Sequence, residues 1–389
     1  MIQLEDYSSG HFEKGPGGYN YFVPAEINSQ WNWSNPEINS LLEKAAIKLG
    51  ELNSYARLVP NIDLFIQLHV TKEAVISSRI EGTKTNMDEA LLAEEEVTPE
   101  RKNDWKEVNN YIKALNEAIK DLEKLPISSR LIKQTHFTLL NSVRGENKNP
   151  GDFRRSQNWI GGSSPSDAVF VPPNYQYVES LMGDLENFLH NEDIKVPDLI
   201  RIAIAHYQFE TIHPFLDGNG RIGRLLITLY LVDSKILSKP LLYLSSYFEK
   251  NKSHYYDNLT AVRSKNDMTH WLKYFLVGVA DTAAEAGDTL TKVLALKSGL
   301  EINIIHSFGR KSHSASVLLH QLFQNPIINI KKVKDICGLS FKAANDLVTD
   351  FVNRDVLIEM TGQTRNRVFI FESYLNLFRE RKINIITIP

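Results

Sequence analysis

Between Pro197 and Val232 the chain carries two apolar runs, DLIRIAIAHYQFET and RIGRLLITLYLV, joined by the polar, glycine-rich stretch IHPFLDGNG. Leu199, Ile202, Ala203, His206 and Phe209 recur at three- and four-residue steps after Pro197 and Asp198, which predicts a helix with one apolar face. Ile222 to Val232 is apolar nearly all round, so the second helix belongs in the middle of a domain, wrapped by others. Such a helix needs a large helical core, and 389 residues are enough for two or three domains. The same periodicity predicts further helices over Ile62–Glu81, Asp104–Leu125, Ser129–Asn141, Tyr177–Asn191, Ser253–Val262 and Thr269 to about Leu300. The best strand signal is SQNWIGGSSPSDAVFVPP, Ser156 to Pro173, a β-hairpin turning at Gly161, Gly162 and Pro165.

Composition narrows the function. With 42% hydrophobic residues, 23% charged residues and a formal charge of -3, the whole chain has no general attraction for nucleic acid or membranes. No basic leader opens it and no apolar run reaches the roughly 20 residues of a membrane helix, so a cytoplasmic protein is expected. The single cysteine, Cys337, excludes an intrachain disulfide and a thiolate cluster, and is expected to be a small core residue.

The linking stretch carries the chemistry. Gly218, Asn219 and Gly220 open the second helix, where unpaired amides and the positive end of the helix dipole form an anion nest suited to phosphate. Arg221 and Arg224 follow on its first turns, and two guanidiniums suit a polyphosphate. Asp217 beside such a nest would repel phosphate unless a divalent cation lay between them, which makes it a magnesium ligand. His213 is the one nearby group able to take a proton near neutral pH. Glu210 reads as a surface or helix-capping residue. A Walker-type G-x-x-x-x-G-K-[ST] loop is absent.

The run HPFLDGNGRIGR, His213 to Arg224, resembles the signature of the Fic family. That resemblance implies a mainly α protein: a Fic-type helical core with a β-hairpin flap, moving AMP from ATP to a protein hydroxyl and releasing pyrophosphate. It implies that His213 deprotonates the acceptor, that Asp217 holds Mg2+, and that Gly218, Asn219, Gly220, Arg221, Gly223 and Arg224 hold the phosphates. The hairpin is similar to the family's flap, which would clamp a protein substrate, the chain itself included, and place Trp159, Ile160, Gly161 and Gly162 near the nucleotide. SHYYDNL resembles the segment bordering adenine and ribose, implicating Tyr255 and Tyr256, although Arg263 stands where one relative pattern has Asn.

SSRIEGT, Ser77 to Thr83, adds a regulatory expectation. A carboxylate at a helix C-terminus opposes the dipole, so Glu81, just before Gly82, needs another reason to be there. The stretch is similar to the family's inhibitory motif through Ser77, Glu81 and Gly82, which implies that Glu81 pairs with Arg224 and denies it to ATP.

The C-terminal KKVKDICGLSFKAANDLVTDFVNRDVLIEMTGQTRNRVFIF reads as two helices and a hairpin, the order of a winged helix-turn-helix domain. From Pro326 onward it has 10 Lys or Arg against 7 Asp or Glu, so it is only weakly basic. DNA would meet Lys342, Arg365 and Arg367, whereas Asp346 and Asp350 favour a packing or target-selecting module. The expected organisation is therefore an N-terminal helical region over 1–105, the core and following helices over 106–308, and the winged-helix domain over 309–389. A second reading keeps the core as the nucleotide sensor of a DNA-binding regulator, and a third uses the same core to remove AMP from a modified protein, with Glu81 positioning a water, or to transfer another phosphate-linked group. A homodimer is compatible with each.

Overall fold

The computed structural model describes residues 1–58, 62–303, 305–363 and 367–379. Four short strands come first, β1 (Ile2–Gln3), β2 (Gly10–Lys14), β3 (Asn20–Pro24) and β4 (Trp31–Asn32). The helical body follows: α1 (Pro36–Leu58), α2 (Ile62–Ile80), α3 (Met87–Leu91), α4 (Lys102–Asp121), α5 (Ser129–Leu139), α6 (Val178–His190), α7 (Asp198–Ile212), α8 (Asn219–Asp233), α9 (Ser245–Lys250), α10 (Lys252–Lys265) and α11 (Met268–Asn303). The C-terminal module contains α12 (Ser312–Gln324), β5 (Ile327–Asn329), α13 (Ile330–Cys337), α14 (Phe341–Val352), β6 (Ile358–Glu359), β7 (Val368–Ile370) and α15 (Glu372–Leu375).

Helix α8 lies in the middle of the body: Ile222, Leu225, Leu226, Ile227 and Leu231 are each at most 2% exposed. Helix α7 packs beside it and buries every residue from Leu199 to Ile212. This differs from the one apolar face expected, because α6, α11 and β3 pack on the helix as well as α8. Trp271 of α11 donates its indole N–H to the Ala203 carbonyl, 2.8 Å away, fixing that approach. At about 1.5 Å per residue, the 36 residues of α11 span about 54 Å, enough to run from this core to the C-terminal module.

Residues 1–32 depart from the helical expectation. The antiparallel β2–β3 hairpin pairs Gly10 with Pro24 and Lys14 with Asn20, and the Phe22 amide donates to the Val171 carbonyl at 3.0 Å. The expected flap hairpin is also only partly strand-like. Ile160 and Phe170 form one isolated antiparallel bridge, and the tip is held by Asp167, which accepts from the amides and hydroxyls of Ser163 and Ser164. Gly161 and Gly162, both at φ 70°, turn the chain out of pairing directly after Ile160.

In the C-terminal module Gly338 ends α13 at φ 64°, and the Ser340 hydroxyl caps α14 by accepting from the Ala343 amide at 3.2 Å. The strands order β5-β7-β6, so a third strand joins the expected two. Arg365 lies outside the described residues. Arg367 pairs with Glu359 at 3.1 Å, Lys342 is exposed, and Asp350 is engaged by Lys311 and Arg354. Cys337 is only partly buried.

Candidate functional site

The site forms where α7 ends and α8 begins. His213 terminates α7 in the left-handed conformation, φ 50° and ψ 59°, an uncommon place for a residue with a side chain. The chain is forced there from outside the loop. Arg154, 2% exposed, donates from Nε to the His213 carbonyl at 3.0 Å and from Nη2 to the carbonyls of Ile212 at 3.3 Å and Pro173 at 2.5 Å. Asn158 adds Nδ2 contacts to the carbonyls of His213 at 3.2 Å and Phe215 at 2.8 Å. A cation at a helix C-terminus is well placed to satisfy carbonyls that have no helical partner.

The other side of the loop is held by His136. Its Nδ1 accepts from the Gly151 amide at 2.9 Å, so Nε2 carries the proton and donates to the Asp217 carbonyl at 2.9 Å. Its ring stacks on Phe215 with centroids 3.7 Å apart. Asn219 closes the turn from within: its side chain accepts from the Phe215 amide and donates to the Phe215 carbonyl, both at 2.8 Å. The Asn219 side chain is thus a clasp, and what it can offer an anion is its backbone amide.

Gly218, at φ 77°, starts α8 without a side-chain cap, leaving the first amides of the helix free of side-chain acceptors. Asp217 accepts from the Gly218 amide at 2.6 Å through Oδ1 and keeps 36% of its side-chain surface open. Among the described residues no set of three or more His, Cys, Asp or Glu side chains gathers as a metal site. A cation at Asp217 would therefore take its remaining ligands from phosphate and water, as Mg2+ commonly does.

Both arginines are buried. Arg221, 1% exposed, pairs with Glu107 of α4 at 3.1 Å and lies 3.7 Å from Asp217. Arg224 donates from Nε to the Ser77 hydroxyl at 2.9 Å, and from Nη2 to the Ser77 carbonyl at 2.9 Å and Glu81 Oε1 at 2.7 Å. Glu81 follows the last residue of α2, and Gly82 turns the chain at φ 104°. A Cβ on Gly220 would lie 2.4 Å from Glu81 Oε1, so that carboxylate rests against the opening of α8. Burial alone would raise the Glu81 carboxyl, but Arg224 and then Arg221 hold it below the usual range. The Ser77, Glu81, Gly82 and Arg224 positions are thus together in space.

The His213 imidazole is held toward its neutral form: burial and then the Arg154 charge bring it down to about 4. Its Nδ1 is buried, and the Glu210 backbone carbonyl favours a proton on the ring. Glu210 is not a surface residue. It is 9% exposed, its Oε1 is buried without a partner, and burial pushes its carboxyl up to about 7 against the pull of Arg224. The carboxyl lies against Gly223, where a Cβ would come within 2.3 Å of Oε1. Gly223 therefore permits the close approach of α7 and α8 and does not line the nest.

Tyr255 also lies away from the surface. It is 2% exposed, stacks on Phe248 at 4.4 Å and donates its hydroxyl to His206 Nε2 at 2.9 Å, while His206 Nδ1 donates to the Gly223 carbonyl at 2.9 Å. Tyr256 is 42% exposed beside it, and Trp159 and Ile160 are 40% and 36% exposed on the flap, where Gly161 and Gly162 are exposed as well. Arg263 stacks on Phe170 of the flap at 3.9 Å. Sequence reasoning missed Arg154, Asn158, His136 and Glu107. Arg154 and Asn158 stand in the same GDFRRSQNW stretch as the flap, but nothing in that stretch signals their burial.

Comparison with known proteins fits this geometry. Residues 39–120 match the Fic/DOC family N-terminal model and residues 126–231 match the Fic/DOC family model. The chain is 29% identical over 178 residues to a probable protein adenylyltransferase of Aquifex aeolicus, covering 46% of this chain and 52% of that one. It is 33% identical over 112 residues to the protein adenylyltransferase Fic of Drosophila erecta, covering 28% of this chain and 21% of that one. The chain thus spans about half the length of the first relative and about a fifth of the second. The fold resembles a crystal structure of a Fic family protein from Desulfovibrio desulfuricans, with TM-score 0.53 and 20% identity over 87% of this chain and 96% of that one. It also resembles Fic-1 of C. elegans, with TM-score 0.50 and 21% identity over 67% and 75% of the two chains. Ser77 and Glu81 lie inside the first matched segment and His213 to Arg224 inside the second, so the similarity to the Fic/DOC family takes in both stretches that meet at the site.

Proposed function

We propose that this chain is a protein adenylyltransferase that moves AMP from ATP to a hydroxyl of a protein, and that Glu81 holds it inactive. The observation that carries the proposal is the juxtaposition of a neutral His213, an uncapped α8 N-terminus and an Arg224 taken by Glu81. The relatives' names support the reaction class.

With Glu81 withdrawn, Arg224 and the amides at the start of α8 are free to bind the triphosphate. Asp217 would hold Mg2+, which when bound neutralises charge on the phosphates. His213, whose Nδ1 is sealed off, meets the acceptor through Nε2 and takes the hydroxyl proton as the oxygen attacks the α-phosphorus. The new bond is O–Pα; the bond to the bridging oxygen of the β-phosphate breaks and pyrophosphate leaves. Arg154, Asn158 and His136 contribute by fixing the loop, since geometry set in advance lowers the entropic part of the barrier. Trp159 and Ile160 on the flap and Tyr256 on α10 offer exposed apolar surface that suits the nucleoside and the acceptor segment.

The test is incubation of the purified chain with α-labelled ATP and magnesium, followed by mass spectrometry for AMP adducts. His213→Ala should lower incorporation by about 100-fold or more, the usual contribution of a positioned base. Glu81→Gly should raise auto-modification above the parent. Equal incorporation by Glu81→Gly and parent would remove the inhibitory role, and label retained by His213→Ala would remove the catalytic one.

A further inference from the structure

We propose that the C-terminal segment Glu372–Arg379 is a clamp that steadies the inhibitory turn by gripping the chain on both sides of Glu81, an inference that rests on the autoinhibited reading above. Before Glu81, Phe378 is 1% exposed and packs on Phe65 and His69 of α2, with ring centroids 5.7 and 6.5 Å apart. Phe65 and His69 are one turn apart on the helix and stack on each other at 5.1 Å, so a single inserted ring braces that face. After Glu81, the Arg379 guanidinium meets both oxygens of Asp88 in the first turn of α3, Nη2 at 2.7 and 2.8 Å and Nε at 3.2 Å. Two adjacent residues of the C-terminal segment thus hold α2 and α3, the two helices that flank the turn.

The turn itself is the part that such bracing would affect. Glu81 keeps 32% of its side-chain surface open, and nothing lies within 4 Å of where a Cβ on Gly82 would be. Its amides are held by single bonds to Ser78 and Arg79 carbonyls, at 3.0–3.2 Å. Terminal turns of this kind sit at the low end of local stability. An open groove of about 640 Å³ runs beside Phe378 and Arg379, between the segment and α2–α3, so these two residues bridge it, while α12 of the same module packs directly on α2.

The segment is continuous with the C-terminal module. Phe323 of α12 contacts Phe371 and Tyr374 at 5.3 and 4.7 Å, and Tyr374 contacts Phe378 at 5.5 Å. A chain of rings therefore leads from α12 to the helix that carries Ser77, and displacement of the module loosens both flanks of Glu81. The module acts as a regulatory input to catalysis, independent of any contact with the nucleotide.

The test compares the full-length parent, Arg379→Gln, Asp88→Arg and the reversal Asp88→Arg with Arg379→Asp, reading hydrogen exchange of amides 82–85 and auto-modification with labelled ATP. Arg379→Gln and Asp88→Arg should each raise exchange and auto-modification at least about fivefold, the lower end of ordinary coupling between sites. The charge reversal should return both toward the parent. Parent-like exchange in Arg379→Gln overturns the clamp, and so does parent-like exchange in Asp88→Arg. If exchange rises as expected but Glu81→Gly transfers no AMP, the adenylylation reading fails and the clamp stands; if Glu81→Gly is active while Arg379→Gln behaves as parent, the clamp alone fails.

Discussion

At the scale of single residues, the site is governed by which charges are paired. Arg224 lies near two carboxyls yet is bonded to only one, Glu81, and Glu210 is left with a buried oxygen that has no donor. Around Glu210 stand Glu81 after α2, Arg224 on α8, and Arg263, Tyr255 and Tyr256 on α10, with His206 and His213 on its own helix and continuation. Deprotonation near pH 7 adds a negative charge beside the proposed phosphate position, so ATP binding should weaken as pH rises through about 7. Glu210→Gln should flatten that dependence. Glu81 raises the proton affinity of both Glu210 and His213, so in Glu81→Gly both inflections should move to lower pH. Nucleotide titrations and rate profiles between about pH 3 and 9 check each sign.

At the scale of elements, the loop between α7 and α8 is shaped by neighbours on both sides. Arg154 satisfies carbonyls at the end of α7 that the helix itself cannot, and holds His213 in the left-handed region. Arg154→Ala leaves those acceptors without their donor, which should cost about 3 kcal/mol or more of stability, since buried unsatisfied groups each cost about 1–3 kcal/mol. Transfer should fall with little change in ATP affinity, because the proposed phosphate nest belongs to α8; denaturant melts and the KM for ATP in a Glu81→Gly background would separate the two effects. Glu107 of α4 holds the buried Arg221 guanidinium in place at 3.1 Å, so Glu107→Gln should lower the affinity for ATP while sparing the position of His213. A binding isotherm beside a thermal melt tests it.

For the whole molecule, one continuous set of buried residues runs from Leu4 to Phe378, through α8, α11 and the C-terminal module. A shared core predicts shared cooperativity. Calorimetry of the full chain should show a single transition with matching calorimetric and van't Hoff enthalpies, and two resolved transitions would argue that the module melts by itself. No helix among the described residues is long and apolar enough to cross a membrane, in line with the hydropathy of the chain.

The sequence by itself determined the helical class, the two helices that meet at the site and the order of elements in the C-terminal module, and it singled out Ser77, Glu81, His213, Asp217 and Arg224 as candidates, because periodicity, caps and compact motifs are local properties of a chain. Helix limits over α2, α4, α5, α6, α10 and α11 follow from the same signal. Only the tertiary structure decided that Glu210 and Tyr255 are buried, that Gly223 serves helix packing, that Asn219 is a clasp and that residues 10–24 form a hairpin against the flap. It also brought Arg154, His136 and Glu107, between 59 and 114 positions away in sequence, onto the loop and its arginine. Burial and pairing of a charge depend on what lies across from it, and that partner is supplied by remote chain whose approach leaves no periodic trace in the local sequence.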